Sequence, residues 1–351
     1  MMPNSPHFPV LLNEVITALA PKDGGRYVDG TFGNGGYTRA ILDAADCAVL
    51  AVDQDPDAIK TAEKMAQEYN GDRFHVKHGR FADMLSHATS IGWEAVDGIA
   101  LDVGVSSMQL DQAERGFSFR HEGPLDMRMA QEGPSAADLV NEGDEGLIAD
   151  VLYRYGEERQ SRRIARAIIR ERETAPIETT HKLAAIIAEA LGPKAVAKMK
   201  IDPATRSFQA IRIYVNDEAG QLAQALLGAE KLLKPGGVLA VVSFHSLEDR
   251  MVKRFLTACA KPNAGQSRHL PMNAAVAPSF DVPRGQPVLP GDEELKINPR
   301  SRSAKLRYGV RLDAPMLEPR DAMMNLLPDL GSATTGVRPS DRPGDRKRGM
   351  Q

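Results

Sequence analysis

The densest run of chemistry-bearing spacing is Asp29-Gly-Thr-Phe-Gly-Asn-Gly-Gly36. Removing side chains lets a backbone turn sharply and lets a ligand approach it closely. Asp53 stands 24 residues after Asp29. A carboxylate at that distance in a βαβ unit can accept both ribose hydroxyls; the other reading is an N-cap for the next helix. Asp102 ends a later apolar run, where it either borders the same crevice or caps a turn. Phe81, in His78-Gly-Arg-Phe81, either walls an adenine ring or fills core. Gln109 follows the loop Gly104-Val-Ser-Ser107 and offers a side-chain amide to a cofactor. His245, in Ser243-Phe-His-Ser246, reads as a base contact, a proton acceptor or a structural histidine.

Two cofactor classes use such a loop. A dinucleotide loop is Gly-x-Gly-x-x-Gly, aimed at a pyrophosphate. Here Gly33-Asn-Gly35 is followed by Gly36-Tyr-Thr38, so the third glycine is missing from its place. An acid, Asp29, precedes the loop. S-adenosylmethionine has no phosphate but carries a sulfonium, an amino group and a carboxylate, which suits an acidic neighbour. These features favour S-adenosylmethionine over NAD, and calorimetry with both would separate a transferase from an NAD-dependent oxidoreductase. Neither His-x-x-x-His nor Cys-x-x-Cys occurs, so no metal is required.

Elements must position these residues. Apolar runs at Arg26–Asp29, Ala48–Asp53, Phe74–Val76 and Val96–Asp102 predict buried strands. Helical stretches at Tyr37–Ala44 and Ala58–Glu68 alternate with them, and Pro56 sits at a helix start. This β-loop-α repetition predicts an α/β fold, Rossmann-like, with a mostly parallel sheet and helices on both faces. From about Leu110 to Pro203 no comparable strand occurs; Leu147–Tyr155, Arg159–Arg172 and His181–Leu191 read as helices. The α/β pattern then returns. Phe208–Leu233 is helical with a break near Gly220, Lys234-Pro-Gly-Gly237 is a turn, Val238–Phe244 is a fifth strand, and Leu247–Cys259 is a helix. Segments near Phe280–Pro283 and Ala304–Leu312 can pair as an antiparallel edge. The expected domains are residues 1–109 with 204–314, an inserted helical domain over 110–203, and a disordered tail over 315–351.

The 351 residues are 42% hydrophobic and 26% charged, an ordinary globular balance for about two domains. Forty-four basic and 47 acidic residues leave a net charge of −3. Bulk charge therefore cannot hold nucleic acid, and any such contact needs local patches. Two cysteines exclude a disulfide framework and fit a reducing cytosol. The start, MMPNSPHFPV, lacks the pattern of a signal peptide, and the longest apolar stretch is too short to span a bilayer. A cytoplasmic protein without membrane contact is expected.

Several longer motifs carry a family resemblance. They are His7-Phe-Pro-Val-Leu-Leu-Asn-Glu-Val15, the glycine loop, Leu101-Asp-Val-Gly-Val-Ser-Ser-Met-Gln-Leu-Asp111 and Arg115-Gly-Phe-Ser-Phe119. Others are Gly123-Pro-Leu-Asp-Met-Arg-Met129, Tyr155-Gly-Glu-Glu-Arg159, Pro203-Ala-Thr-Arg-Ser-Phe-Gln-Ala-Ile-Arg212, Ser243-Phe-His-Ser-Leu-Glu-Asp-Arg250 and Asn298-Pro-Arg-Ser-Arg-Ser303. Together they make the chain resemble the MraW-type 16S rRNA methyltransferases, which methylate N4 of a cytidine. The resemblance implies a class I methyltransferase sheet with an inserted helical domain for substrate recognition. It implies S-adenosylmethionine contacts from Gly35, Gly36, Tyr37, Asp53, Phe81, Asp102 and Gln109. The family more often has His at the position of Tyr37; the change matters only if that ring touches cofactor. Methylation of another RNA base amine, and a non-catalytic RNA-binding scaffold, are the alternatives.

The N4 lone pair is delocalised into the ring, so an acceptor for the amino group would help free it. Asp102 or the Val103 and Gly104 carbonyls can serve, which leaves the catalytic group open. Three basic clusters can meet RNA. Arg154 to Arg172 holds seven arginines and three glutamates, with Arg162, Arg166 and Arg170 on one helical face; the bland reading is a solvated face. Arg206, Gln209, Arg212 and Asn216 form a stripe that could line the mouth of the site. Arg300, Arg302, Lys305 and Arg307 form the third. Because local patches alone bind naked RNA weakly, the expected partner is 16S rRNA in the assembled small ribosomal subunit, with monomer or homodimer left open.

Overall fold

The computed structural model describes residues 9–69, 71–263 and 276–316. In chain order the first elements are α1 (Leu12–Leu19), β1 (Arg26–Asp29), α2 (Gly36–Ala44), β2 (Ala48–Asp53), α3 (Pro56–Ala66), β3 (Phe74–His78), α4 (Met84–Ser90) and β4 (Val96–Asp102). Helices follow: α5 (Ser107–Asp111), α6 (Ala136–Glu142), α7 (Glu145–Gly156), α8 (Ser161–Thr174), α9 (Thr180–Leu191), α10 (Pro193–Val196), α11 (Thr205–Val215) and α12 (Glu218–Leu232). The chain continues through β5 (Leu233–Ser243), α13 (Ser246–Ala260), β6 (Phe280–Asp281), α14 (Asp292–Ile297) and β7 (Lys305–Arg311).

All strands join one seven-stranded sheet in the order β3-β2-β1-β4-β5-β7-β6. The first five pair in parallel, and β7 runs antiparallel to both β5 and β6. Strand β4 is buried along almost its whole length, as a strand covered on both faces must be. Strand order reverses beside β1, with β2 on one side and β4 on the other. Ligands bind at the carboxyl ends of strands at such a switch point. Asp29, the last residue of β1, pairs with Ala51 and with Ala100. Asp53 and Asp102 therefore each stand two residues farther along the flanking strands, on either side of Asp29.

Two details depart from the sequence reading. The helix break expected near Gly220 falls at Asn216 and Asp217. Asn216 caps α11 and spends its amide on Met127 O and Met129 N, and Asp217 takes φ 49°. Lys234–Gly237 lies inside β5 as an irregularity, with the β4 register shifting between Val96 and Gly98 and Gly236 at φ 83°. Between these pairs β5 spends three residues more than β4, an irregularity that bulges the strand without ending it.

The described residues form two compact units, 9–106 with 220–316, and Ser107–Ala219. The second is helical. In it α7 packs on α8 and α11, and α8 on α9. Gly156 permits the α7–α11 approach: a Cβ there would lie 2.5 Å from Arg206 O. Residues 204–219, which the sequence joins to the sheet domain, thus cluster with the helices. The loop before α6 is knotted by Arg115, buried and donating to Arg128 O and Met129 O. The tail expected to be disordered falls, from residue 317 on, outside the described residues. No helix among the described residues is long and apolar enough to cross a membrane.

Candidate functional site

The glycine loop is built around Asp29. Its Oδ1 accepts from Thr31 N at 3.2 Å; its Oδ2 accepts from Thr38 N at 3.1 Å and Thr38 Oγ1 at 2.7 Å. The carboxylate is fully buried, and burial pushes its pKa up to about 6 against these bonds. Asp29 therefore organises the loop. The acid that the sequence offers to a cofactor's amino group is already engaged by the protein.

The loop leaves no room for side chains. Gly35 precedes α2 at φ 76°, and a Cβ there would meet the Phe32 ring at 2.6 Å and Met65 Sδ at 2.9 Å. A Cβ at Gly30 would lie 2.5 Å from Leu101 Cδ2. The backbone thus hugs its neighbours at both glycines.

Asp53 links the loop to the β2 end. Its Oδ2 accepts from Gly33 N at 2.8 Å, and its Oδ1 from Asp55 N at 2.9 Å. It is not the cap of α3, because Asp55 does that through Asp57 N. A carboxylate offers about four acceptor sites, so roughly two remain for hydroxyl donors. Burial, with the charges of Asp55 and Asp29, raises its pKa to about 6.

Asp102 is held differently. Its amide donates to Thr31 Oγ1 at 2.6 Å, which fastens β4 to the loop. Its Oδ1 is buried with no hydrogen-bond partner among the described residues. Burial first, then the charges of Asp29 and Glu248, lift the carboxyl to about 8. A buried polar atom without a partner is costly and calls for an explanation. Phe81 opens a single turn just after β3, buried, with its Cβ 3.3 Å from where a Gly30 Cβ would stand. It borders the same loop.

Tyr37 occupies the second position of α2 with its ring buried, and its hydroxyl donates to Val10 O. The ring is committed to the N-terminal segment, so only its backbone is available at the loop. Gln109 lies in the second unit, buried on α5. Gly36 meets that same N-terminal segment, since its Cβ would fall 2.0 Å from Pro9 Cγ.

His245 caps α13. Its Nδ1 accepts from Glu248 N at 3.4 Å, while Glu248 Oε2 accepts from Phe244 N at 2.9 Å and His245 N at 3.3 Å. Its Nε2 lies 2.8 Å from Glu248 Oε1. The structural reading of this histidine is the observed one. Among the basic stripes, Arg212 pairs with buried Glu218 at 2.8 Å and Asn216 is buried. Lys305 and Arg307 both hold Asp249. Arg162, Arg166 and Arg170 are exposed on α8 as expected.

Sequence reasoning missed Thr31, Thr38 and Glu248. Thr31 stands two residues after Asp29, the spacing of a local side-chain turn. His245-x-x-Glu248 is a capping-box spacing with an unusual first residue. Thr38 gave no signal. Among the described residues no cluster of His, Cys, Asp and Glu is arranged to hold a metal.

Residues 4–311 match the family model described as the MraW methylase family. The chain is 55% identical over 313 residues to the "Ribosomal RNA small subunit methyltransferase H" of Parvibaculum lavamentivorans, covering 89% of this chain and 91% of that one. It is 54% identical over 333 residues to the protein of the same name from Hyphomonas neptunium, covering 93% and 96%. An rRNA methylase structure from Streptococcus thermophilus is similar at a TM-score of 0.38 and 10% identity, covering 86% and 93%. Since the family model spans nearly the whole sequence and two relatives are more than half identical over about nine tenths of it, the chain belongs to the MraW methylase family.

Proposed function

We propose that the edge formed by Gly35, Gly36, Tyr37, Asp53, Phe81 and Asp102 binds S-adenosylmethionine, and that the enzyme methylates N4 of a cytidine in 16S rRNA of the assembled small ribosomal subunit, in the cytoplasm. The observation that carries it is Asp102 Oδ1, a buried acid oxygen without a hydrogen-bond partner among the described residues, next to the glycine loop that its amide ties down through Thr31. A cationic ligand supplies what that oxygen lacks. Asp53 keeps acceptor sites for two ribose hydroxyls, and Phe81 offers an apolar face beside the loop. Gln109 belongs to the same proposal through the family resemblance alone.

When bound, S-adenosylmethionine supplies a methyl group on a positively charged sulfur. The protein's part is alignment, which can supply roughly 7–11 kcal/mol of a barrier. Asp29 and Thr38 fix the loop, Thr31 ties it to β4, and Asp53 ties it to β2. The ionised form of Asp102, or the Val103 and Gly104 carbonyls next to it, can accept from an incoming amine. The target base must be unstacked to reach the site, at a cost of a few kcal/mol.

The test is transfer from labelled S-adenosylmethionine to purified small subunits, followed by nucleoside analysis. N4-methylcytidine is the expected product. Label on another base would replace the target, and bound cofactor without any transfer would favour a non-catalytic scaffold.

A further inference from the structure

Helices α8 and α9 leave an open cleft of about 250 Å³ between them, lined by Arg163, Ala167, Arg170, Glu189 and Ala190. Arg163, Ala167 and Arg170 follow at i, i+4 and i+7 and so share one helical face. Ala167 and Ala190 are small and buried, which makes the floor. The two arginines leave the α8 backbone about 10 Å apart along the axis. Arg163 is exposed, and among the described residues the one hydrogen bond of its side chain is a long one to Gln160 Oε1 at 3.5 Å. Its Nη2 lies 3.6 Å from where a Cβ would stand at Gly192, past the end of α9. Among the described residues Arg170 pairs with its half-buried neighbour Glu171 at 2.9 Å, a surface contact of the kind that exchanges at little cost. Arg166, central to the stripe read from sequence, turns to Arg162 O and Glu145 instead and does not line the cleft.

We propose that this cleft is a phosphate-backbone contact for RNA, with Arg163 and Arg170 as its ligands and Glu189 as a built-in brake. The proposal rests on the rRNA reading above and adds a place for the substrate's backbone. A planar guanidinium matches a phosphate through two parallel hydrogen bonds. In a chain of net charge −3, RNA affinity must come from such local sites. Backbone contacts of this kind set register and orientation, while sequence is read elsewhere. The carboxylate of Glu189 at the rim opposes the anion and keeps the contact weak enough to release.

The full-length double variant Arg163→Gln with Arg170→Gln tests it, since both side chains are exposed and melting should be unchanged. With small subunits as substrate, KM should rise about tenfold, with kcat and cofactor affinity as in wild type. The salt slope of binding should fall by about 1.5–2, the loss of two phosphate contacts. Glu189→Gln should shift KM the opposite way, a few-fold lower. Protein-free 16S rRNA in filter binding should show the same loss for the double variant. An unchanged KM and salt slope would overturn the proposal. So would a defect seen with intact subunits but absent with protein-free rRNA, which would move the contact to a ribosomal protein. Should wild type transfer no methyl at all, the reaction assigned above fails, and filter binding with rRNA still decides the cleft.

Discussion

Asp102 holds a proton where an ordinary aspartate would not. Its carboxyl sits at about 8 because burial and two nearby acids oppose its charge. A cation beside it reverses that balance. Below pH 8 the site must release a proton before it can pair with a positively charged ligand. Affinity for S-adenosylmethionine should therefore weaken as pH falls from 8 to 6, by close to tenfold per unit, measured by calorimetry. Asp102→Asn should remove the slope and bind as weakly as wild type does at low pH. A flat wild-type profile would show that Asp102 does not face the cation. Gly35 makes the complementary case through shape. Its left-handed φ costs an L side chain about 1–2 kcal/mol, and the Cβ would also strike Phe32 and Met65. Gly35→Ala should lower the melting temperature and weaken cofactor binding by more than tenfold in the same titration.

Strands β1, β2 and β4 and their acidic ends could be read from sequence because each is a short apolar run that ends on an aspartate, and a parallel sheet buries such runs on both faces. Asp53 and Asp102 were placed correctly at strand ends for that reason. The roles of Asp29 and Arg212 could not be read, because each depends on a partner from another element: Thr38 on α2 for one, Glu218 on α12 for the other. His245 shows the same limit. A histidine after a strand suggests proton transfer; only the folded turn shows its Nδ1 accepting from Glu248 N. The cap reading makes a specific demand. Asparagine is a good N-cap, and alanine costs about 1 kcal/mol at such a position. His245→Asn should keep both the melting temperature and turnover, within about twofold. His245→Ala should be less stable yet still active once folded. A stable His245→Asn that lost turnover a hundredfold would return the ring to the chemistry.

Across the whole molecule, the candidate site is stored as an electrostatic liability. Asp29, Asp53 and Asp102 lie at about 6, 6 and 8, against an ordinary value near 4. The folded protein therefore binds more protons than the unfolded chain between pH 4 and 8, and stability falls as pH rises through that window. Other acids act with the opposite sign: Asp97, Asp126 and Asp249 are lowered by hydrogen bonds from Lys and Arg partners, after burial itself pushes them up. Their contribution is complete above about pH 5. His87 is lowered by burial, so it adds stability as pH rises toward 6.5. Comparing wild type with Asp102→Asn cancels all of these. The variant should melt higher than wild type by a margin that widens from pH 5 to 8 and is constant above, at about 2–4 °C per kcal/mol for a domain of this size. Saturating S-adenosylmethionine should close or invert that margin at pH 8, because the ligand stabilises the form it binds and wild type alone supplies the opposing charge. Scanning calorimetry at five pH values, with and without ligand, measures both. A margin that stays flat with pH would mean that Asp102 is ionised in the empty protein, and the burial of its Oδ1 would need another cause.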